Sequence, residues 1–246
     1  MDKKNRLTIT ISIITLVIVA LLASFSRTIF LQNIPSVSLA NPDDTQQGDS
    51  AFGHYWLVAA TPDTVQAIVA TIVRPDSYYR EMTVEYLWSG GGSATSVQVW
   101  HHQSYTYARL DDQSGVIENR LSDGATLYSW YEGTTQLLQA PVDAAGDDLA
   151  QIIPTYESLL DADPSDILEA GYEMKDGTAC VYAAVQQDED SIERFWISVD
   201  QGLLMAAQRE QGEQVVYRLS STGGVTVPCP SDTSFDLPDG STLFST

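Results

Sequence analysis

The N-terminal part of the chain contains one long apolar run, residues 7–26 (LTITISIITLVIVALLASFS), in which no residue is charged. At about 1.5 Å per residue, a helix of this length spans the roughly 30 Å hydrocarbon core of a bilayer. Lys3, Lys4 and Arg6 precede the run, and by the positive-inside rule they keep this end in the cytoplasm. The pattern predicts an uncleaved single-pass signal anchor within residues 1–30, with cleavage as a signal peptide as the alternative.

The next segment, residues 31–50, is polar, contains proline and glycine and shows no period, which is typical of a linker. Residues 51–246 are predicted to form one exported domain. Its first element is predicted to be an amphipathic helix over Thr61–Arg74, because Thr-Pro-Asp at residues 61–63 is a helix start and apolar residues then recur on one face. The helix should end before Pro75, since the residue before a proline disfavours the helical conformation.

The apolar period changes to two after residue 78, which predicts strands with one apolar face. Gly115, Gly124 and Gly133 lie nine residues apart and follow residues that favour hairpin turns, so the strands should form an antiparallel meander. The predicted strands cover residues 79–88, 97–100, 105–110, 116–121, 125–131, 172–174, 178–187, 192–199, 203–209, 215–220 and 225–227.

Residues 143–170 interrupt this alternation. They are predicted to hold a short helix over 147–153 that Pro154 ends, and another turn over 156–160. A further short helix is predicted over 164–170, because Asp163 can cap it and a proline follows at its first position. Many strands with few helices indicate an α+β domain, in which the helices cover one face of a curved antiparallel sheet of about ten strands.

Acidic residues outnumber basic residues by 33 to 12 in the whole chain, which gives a net charge of −21. Without residues 1–30, which hold one acidic and four basic residues, the counts are 32 and 8 and the net charge is −24. This charge argues against nucleic-acid binding, which requires clustered lysine and arginine. It would attract a basic protein partner or divalent cations, unless it serves only solubility.

The chain contains none of the motifs of a serine nucleophile elbow, a zinc protease or an EF-hand calcium loop. His101 and His102 are adjacent in a predicted strand and point to opposite faces, which is typical of surface or edge histidines rather than of a joint metal site. We therefore predict no metal, no cofactor and no catalytic residue. A pair of carboxylates that hydrolyses a cell-wall glycan is an alternative, because spacing in the sequence leaves such a pair open.

Cys180 and Cys229 are the two cysteines of the chain. In an exported domain they could close a disulfide, which is typically worth about 2–4 kcal/mol. Two buried free thiols are the alternative, and the sequence does not decide between them, because a disulfide depends on the distance between the two Cβ atoms.

Aromatic residues are concentrated in the predicted strands. The concave face of a curved sheet must be covered by helices, and where the cover is incomplete it becomes an apolar ligand groove. By strand parity, the inward-facing candidates for such a groove are Met82, Val84, Tyr86, Trp88, Val97, Val99, Phe195, Ile197 and Met205. Ordinary core packing of these residues is the alternative.

Three motifs follow the first helix and strand in a characteristic order: LSDGATLYSW at residues 121–130, FWISVDQGLL at 195–204 and FDLPDG at 235–240. Together they resemble the LolA/LolB-like superfamily of exported domains, which includes outer-membrane lipoprotein carriers and RseB-type sensors of envelope stress. The resemblance covers roughly residues 55–240 and depends on the order of the motifs, since each motif alone is weak.

The resemblance implies a half-barrel of antiparallel strands with helices as a lid over a hydrophobic cavity, and a binding function rather than an enzymatic one. We therefore expect an extracytoplasmic domain anchored in a bacterial cytoplasmic membrane that holds a lipid, acyl chain or lipoprotein in its groove. One alternative is an envelope, sporulation or germination adaptor that binds a protein partner such as a cell-wall hydrolase. The second alternative is the hydrolase with paired carboxylates.

Overall fold

The structure, a computed structural model, describes residues 58–142 and 150–245. Its main feature is an open sheet of eleven strands in the order β6-β5-β4-β3-β2-β1-β11-β10-β9-β8-β7, in which all neighbours are antiparallel. The strands are β1 Ser77–Trp88, β2 Gly91–His102, β3 Tyr105–Asp112, β4 Ile117–Ser122, β5 Thr126–Tyr131, β6 Leu138–Pro141, β7 Ile167–Lys175, β8 Thr178–Asp188, β9 Ser191–Ser198, β10 Leu204–Gln211 and β11 Gln214–Ser221.

The sheet consists of two meanders that meet at the pairing of β1 with β11. Met82 lies opposite Ser221 and Tyr86 lies opposite Tyr217 in this pairing. The large antiparallel sheet with few helices agrees with the predicted α+β class and is consistent with a curved half-barrel. The pairing of the two meanders and the edge strand β6 were not predicted from the sequence.

Two short helices and one 3₁₀ turn lie wholly within the described residues: α1 Val65–Thr71, α2 Glu157–Asp161 and the turn Pro164–Asp166. Helix α1 is shorter than the predicted Thr61–Arg74, because the Thr61 carbonyl accepts from the amides of Thr64 and Val65 and forms a separate first turn. The backbone then becomes extended at Ile72, shortly before Pro75.

The predicted helix over residues 164–170 is wrong. Asp163 does cap the start, since its side chain accepts from the Ser165 amide at 2.9 Å. Only the one 3₁₀ turn follows, and β7 begins at Ile167, which lies opposite Val185 of β8. The local helix signal is overridden by pairing with a neighbouring strand. The predicted helix over 147–153 lies largely outside the described residues, of which Ala150 and Gln151 are helical.

The main core lies between the sheet and the two helices. Val65 and Val69 of α1 and Leu159 of α2 are at most 2% exposed and pack in the same cluster as the apolar side chains of both meanders. The helices are joined by Gln66, whose amide nitrogen donates to the carbonyls of Leu159 at 3.0 Å and Ala162 at 2.8 Å. The cover over this face of the sheet is therefore fixed by hydrogen bonds as well as by packing.

A second, smaller cluster lies on the opposite face of the sheet. The C-terminal hairpin of β12 Ser234–Asp236 and β13 Thr242–Ser245 packs there. Phe235 is fully buried with Leu121 and Trp130. The sequence indicates only an extended, non-helical tail at this position, so the hairpin is an addition to the predicted fold.

Cys180 and Cys229 are buried free thiols, and no disulfide joins them. Cys180 belongs to the main core, and its burial raises the pKa of the thiol to about 12. Cys229 lies 3.3 Å from the Thr233 hydroxyl.

In the described ranges, no helix is long and apolar enough to cross a membrane. The predicted anchor at residues 7–26 and the predicted linker at 31–50 lie outside those ranges.

Candidate functional site

The structure places the nine predicted groove residues on one face of the sheet but divides them into two groups. Seven are packed in the main core and are at most 6% exposed: Met82, Val84, Val97, Val99, Phe195, Ile197 and Met205. Tyr86 and Trp88, at the end of β1, are 46% and 58% exposed. The helices thus cover the middle of this face and leave the end near Tyr86 open.

The open end contains an apolar cavity of about 260 Å³. Its base is formed by buried residues of β1, β2 and β3, and its opening by the exposed Val116 and Tyr131. The lining residues are Val84, Tyr86, Thr95, Val97, Leu110, Asp112, Val116, Glu118, Tyr131 and Ile152. Three of the predicted groove residues therefore line a space that a ligand could enter.

Two carboxylates, Asp112 and Glu118, lie at this apolar cavity. Asp112 Oδ1 accepts from the Ser114 hydroxyl at 2.7 Å and from the amides of Ser114 and Val116 at 2.9 Å each. These hydrogen bonds lower the pKa of Asp112 below its usual value, so the group is charged at neutral pH. Glu118 accepts from Arg120 Nε at 2.9 Å.

A second cavity, of about 610 Å³, lies at the same end of the sheet on the other meander. Eight of its ten lining residues have hydroxyl, amide or charged side chains. The lining residues are Pro154, Thr155, Ser158, Gln187, Asp188, Ser191, Glu193, Arg209, Gln211 and Val216. Its volume lies within the roughly 300–1,000 Å³ that ligand sites usually have.

The polar cavity is built around an ion pair between Glu193 and Arg209. The Glu193 side chain is only 8% exposed and the Arg209 side chain is 48% exposed. Glu193 Oε1 accepts from Arg209 Nε at 2.7 Å and from Arg209 Nη2, and Oε2 accepts from the Gln187 amide nitrogen at 3.1 Å. The buried carboxylate is thus neutralised and hydrogen-bonded, which offsets the cost of its burial.

A row of side chains across neighbouring strands connects the two cavities. Tyr86 of β1 lies opposite Tyr217 of β11, Tyr217 opposite Arg209 of β10, and Arg209 opposite Glu193 of β9. The rings of Tyr86 and Tyr217 meet edge to face, with 5.3 Å between their centroids. The apolar and polar cavities are therefore two parts of one surface, separated by Tyr217.

One chain segment contributes to both cavities, since Ile152 lines the apolar cavity and Pro154 the polar one. The segment starts from Gln151, which is fully buried and accepts from the buried Arg80 guanidinium. Ile152 has a φ of 53°, which is costly for a β-branched residue, and such strain is often found at functional sites.

The two cavities together carry an excess of negative charge. Four carboxylates line them, those of Asp112, Glu118, Asp188 and Glu193, against the guanidinium of Arg209 in the lining and that of Arg120, which donates to Glu118. Charges lining a concave surface raise the local concentration of ions of the opposite sign. The surface is thus suited to a ligand with an apolar part and positive charge.

No sequence pattern singles out Glu193, Arg209 or Tyr217. Each occupies an ordinary alternating position in a strand, and nothing local distinguishes it. These residues are neighbours because of the register in which β1, β11, β10 and β9 pair. The spacing of the turns could have indicated the pairing of β9, β10 and β11, but not that of β1 with β11.

The two histidines lie on opposite faces, as predicted. His101 stacks on Tyr78, with 4.8 Å between the centroids, and His102 stacks on Phe244 at 4.9 Å. His101 is 6% exposed, so it is a core residue and not the expected surface or edge histidine. Within residues 58–142 and 150–245, no group of three or more potential metal ligands comes together.

The chain is similar to the solved structure of MucB, with 19% sequence identity and a TM-score of 0.40, over 68% of this chain and 58% of that one. It has the same identity and TM-score with the MucA/MucB complex of Pseudomonas aeruginosa, over 70% and 59%. A LolA superfamily protein, NE2245 from Nitrosomonas europaea, is similar at 10% identity and a TM-score of 0.33, over 73% and 96%. The chain spans less than two thirds of the length of these MucB structures.

No protein-family model matches the chain, and no curated protein matches it. Because the identities are below 20% and the TM-scores are 0.40 or less, we infer the function from the residues of this chain.

Proposed function

We propose that this protein is a membrane-anchored, extracytoplasmic binding protein without enzymatic activity, and that its ligand is a basic segment of a partner protein. The observation that carries the proposal is the pair of neighbouring cavities at the open end of the sheet face, lined by four carboxylates and one guanidinium. The excess of acidic over basic residues in residues 31–246, 32 to 8, extends the same preference to the whole exported part.

The geometry supports a protein ligand better than an acyl chain. The middle of the face, where a long acyl chain would lie, is filled by α1, α2 and the buried groove residues. The remaining apolar cavity, about 260 Å³, is smaller than the 300–1,000 Å³ typical of ligand sites. Asp112 and Glu118 beside it would repel the carboxylate or phosphate of an anionic lipid.

A lipid or acyl ligand remains a second candidate because of one observation. Tyr86, Val116 and Tyr131, which line the apolar cavity, are each about half exposed, and exposed apolar groups of this kind also suit a hydrocarbon chain. Such a ligand would have to be short or uncharged to fit the same space.

A hydrolase with paired carboxylates is less well supported. A general acid needs a carboxyl group whose pKa is raised by burial or by a neighbouring charge. The shifts in this structure that depart clearly from the usual aspartate value are all downward, at Asp112, Asp123, Asp163, Asp236 and Asp239. Hydrogen bonds from nearby amides and hydroxyls explain them, as in ordinary turns.

The location is proposed from the sequence. The apolar residues 7–26 would hold the chain in the cytoplasmic membrane, and Lys3, Lys4 and Arg6 would keep its N-terminus inside. A partner protein would then be met on the outer side of that membrane, with no nucleic acid involved.

Two measurements on the full chain in detergent test this function. Native mass spectrometry of protein purified from its own host should show no acyl species bound at one to one. A fluorescent octapeptide with phenylalanine and arginine side chains should bind, more weakly as salt is raised. A bound acyl species, together with no binding of the octapeptide, would contradict the proposal.

A matched pair of variants shows whether the cavity carboxylates are responsible. Asp112→Asn with Glu118→Gln should weaken octapeptide binding several-fold, because two of the four carboxylates are removed without a change of shape. Asp200→Asn with Asp232→Asn removes the same charge at exposed positions that line neither cavity and should leave binding nearly unchanged. Equal losses in both variants would show attraction by net charge alone.

A further inference from the structure

We infer that the Tyr217 hydroxyl is a recognition group that donates a hydrogen bond to the main chain of an extended peptide lying across both cavities. This inference rests on the proposed function and deepens it, since it assigns the chemical class of the ligand. The peptide would place an apolar side chain in the apolar cavity and a basic side chain in the polar cavity.

The first observation concerns the hydroxyl itself. Tyr217 is 6% exposed, and its hydroxyl oxygen is buried with no hydrogen-bond partner among the described residues. A buried polar group without a partner typically costs about 1–3 kcal/mol, and most such groups in folded proteins are satisfied. Phenylalanine would fill the same space without that cost, so the hydroxyl is explained by a partner that arrives from outside the chain.

The second observation is where the hydroxyl lies. Tyr217 stands between Tyr86, which lines the apolar cavity, and Arg209, which lines the polar cavity. Neighbouring strands are about 4.8 Å apart, so the two cavity-lining residues are separated by about 10 Å. Three residues of extended chain cover that distance at about 3.3 Å each. A peptide that reaches from one cavity to the other must therefore pass over Tyr217.

The third observation is the chemistry on each side. The apolar cavity has a base of Val84, Val97 and Leu110, which suits an aliphatic or aromatic side chain. In the polar cavity, Arg209 is engaged with Glu193, which leaves Asp188 available for a basic side chain. The two cavities thus prefer an apolar and a basic residue about three positions apart.

The hydroxyl is in the protonated form that donation requires. Burial, together with the nearby Tyr86 and Glu193, raises the pKa of Tyr217 above its usual value. The flanking Tyr86 is 46% exposed, so its ring can move aside without disturbing the core, whereas Arg209 stays paired with Glu193. A carbonyl oxygen of the peptide then accepts the hydrogen bond.

The test compares Tyr217→Phe with a matched variant, Tyr107→Phe. The Tyr107 hydroxyl donates to Asn119 Oδ1 at 2.7 Å, on the opposite face of the sheet, so its removal breaks a bond that the free protein makes. The probe is an acetylated and amidated octapeptide with phenylalanine and arginine three positions apart, on the full chain in detergent. Control peptides replace phenylalanine by alanine or arginine by glutamate.

Tyr217→Phe should bind the octapeptide about five-fold more weakly than the parent protein, the effect of one hydrogen bond, while its melting temperature stays equal or rises. Tyr107→Phe should show the reverse, with a lower melting temperature and unchanged binding. Both control peptides should bind more weakly than the octapeptide.

Each other outcome has a definite meaning. Equal binding by the parent protein and Tyr217→Phe would overturn the inference and leave the proposed function standing. A melting temperature lowered in Tyr217→Phe as much as in Tyr107→Phe would show an ordinary structural hydrogen bond and would also overturn it. No binding of the octapeptide to the parent protein would overturn the inference and the proposed function together.

Discussion

The covered middle and the open end of the same sheet face differ in what lies over them. In the middle, Phe195 and Val99 are fully buried under α1 and α2. At the end, Tyr86 and Tyr131 are about half exposed, and carboxylates such as Glu118 replace apolar side chains on the same face. The alternation of inward and outward residues is the same in both regions, so the alternation does not reveal which region meets a ligand.

This fold places stability and binding in different parts of one sheet face. The middle is the part of the face where apolar area is removed from water by the chain itself. At the end, the chain leaves a polar and an apolar cavity, and the buried Tyr217 hydroxyl has no hydrogen-bond partner among the described residues. Substitutions in the middle should therefore act mainly on folding, and substitutions at the end should act on binding with smaller effects on folding.

Phe195→Ala, in the middle of the face, should lower the free energy of unfolding more than any other substitution considered below. Phe195 is fully buried in the main core, and loss of such a side chain typically costs about 3–5 kcal/mol. Trp88→Ala, at the open end of the same face, removes a larger side chain that is 58% exposed and should cost well under about 1 kcal/mol. The free energies of unfolding of the two variants are measured by urea titration. Similar losses in both variants would contradict the difference in stability between the covered middle and the open end.

The next effect is that of the ion pair at the polar cavity. Arg209→Met leaves the Glu193 carboxylate buried without its guanidinium, which should cost about 1–2 kcal/mol, less than for a fully buried pair because Arg209 is half exposed. Arg218→Met breaks an exposed pair with Glu85 at 3.3 Å and should cost about 0–1 kcal/mol. Both values come from chemical denaturation at low salt, and an equal cost would show that burial of Glu193 has no consequence.

The smallest effect is that of pH at the apolar cavity. The pKa of Asp112 is lowered in the folded state, so its contribution to stability is present above the unfolded value of about 4 and is lost as pH falls through the folded value. The parent protein should therefore exceed Asp112→Asn in stability at pH 7, and the difference should shrink at pH 3. If the stability difference between the parent protein and Asp112→Asn stayed constant from pH 7 to pH 3, the lowered pKa of Asp112 in the folded state would be contradicted.

Ten of the eleven predicted strands are present, because their signals are local, whereas the segment predicted over residues 225–227 forms only an isolated bridge at Thr226. Gly115 and Gly124 have φ values of 84° and 88°, and glycine is the residue that adopts such a turn conformation without strain. The helix expected over 164–170 fails because a local start signal competes with pairing to β8, which is made by a different part of the sequence. The same reason explains why β6 and the C-terminal hairpin were not predicted.

The candidate site could be predicted only in part. Parity places Met82, Val84 and Val97 on the face that α1 and α2 cover, yet their exposure depends on α1 and α2, which are distant in sequence. The neighbourhood of Tyr217 depends on the pairing of β1 with β11, whose residues are separated by more than 130 positions. Long-range pairing of this kind has no local signal, so the chemistry of the site emerges only from the fold.

Hydrogen exchange of the full chain, measured with and without the phenylalanine–arginine octapeptide, tests most directly whether the open end is the binding surface. The account predicts slower exchange at residues 112–118, 152–158 and 188–191, which line the two cavities, and no change at residues 176–177 and 200–202, which form turns at the other end of the sheet. Protection induced by palmitate at the cavity segments, with none induced by the octapeptide, would contradict it.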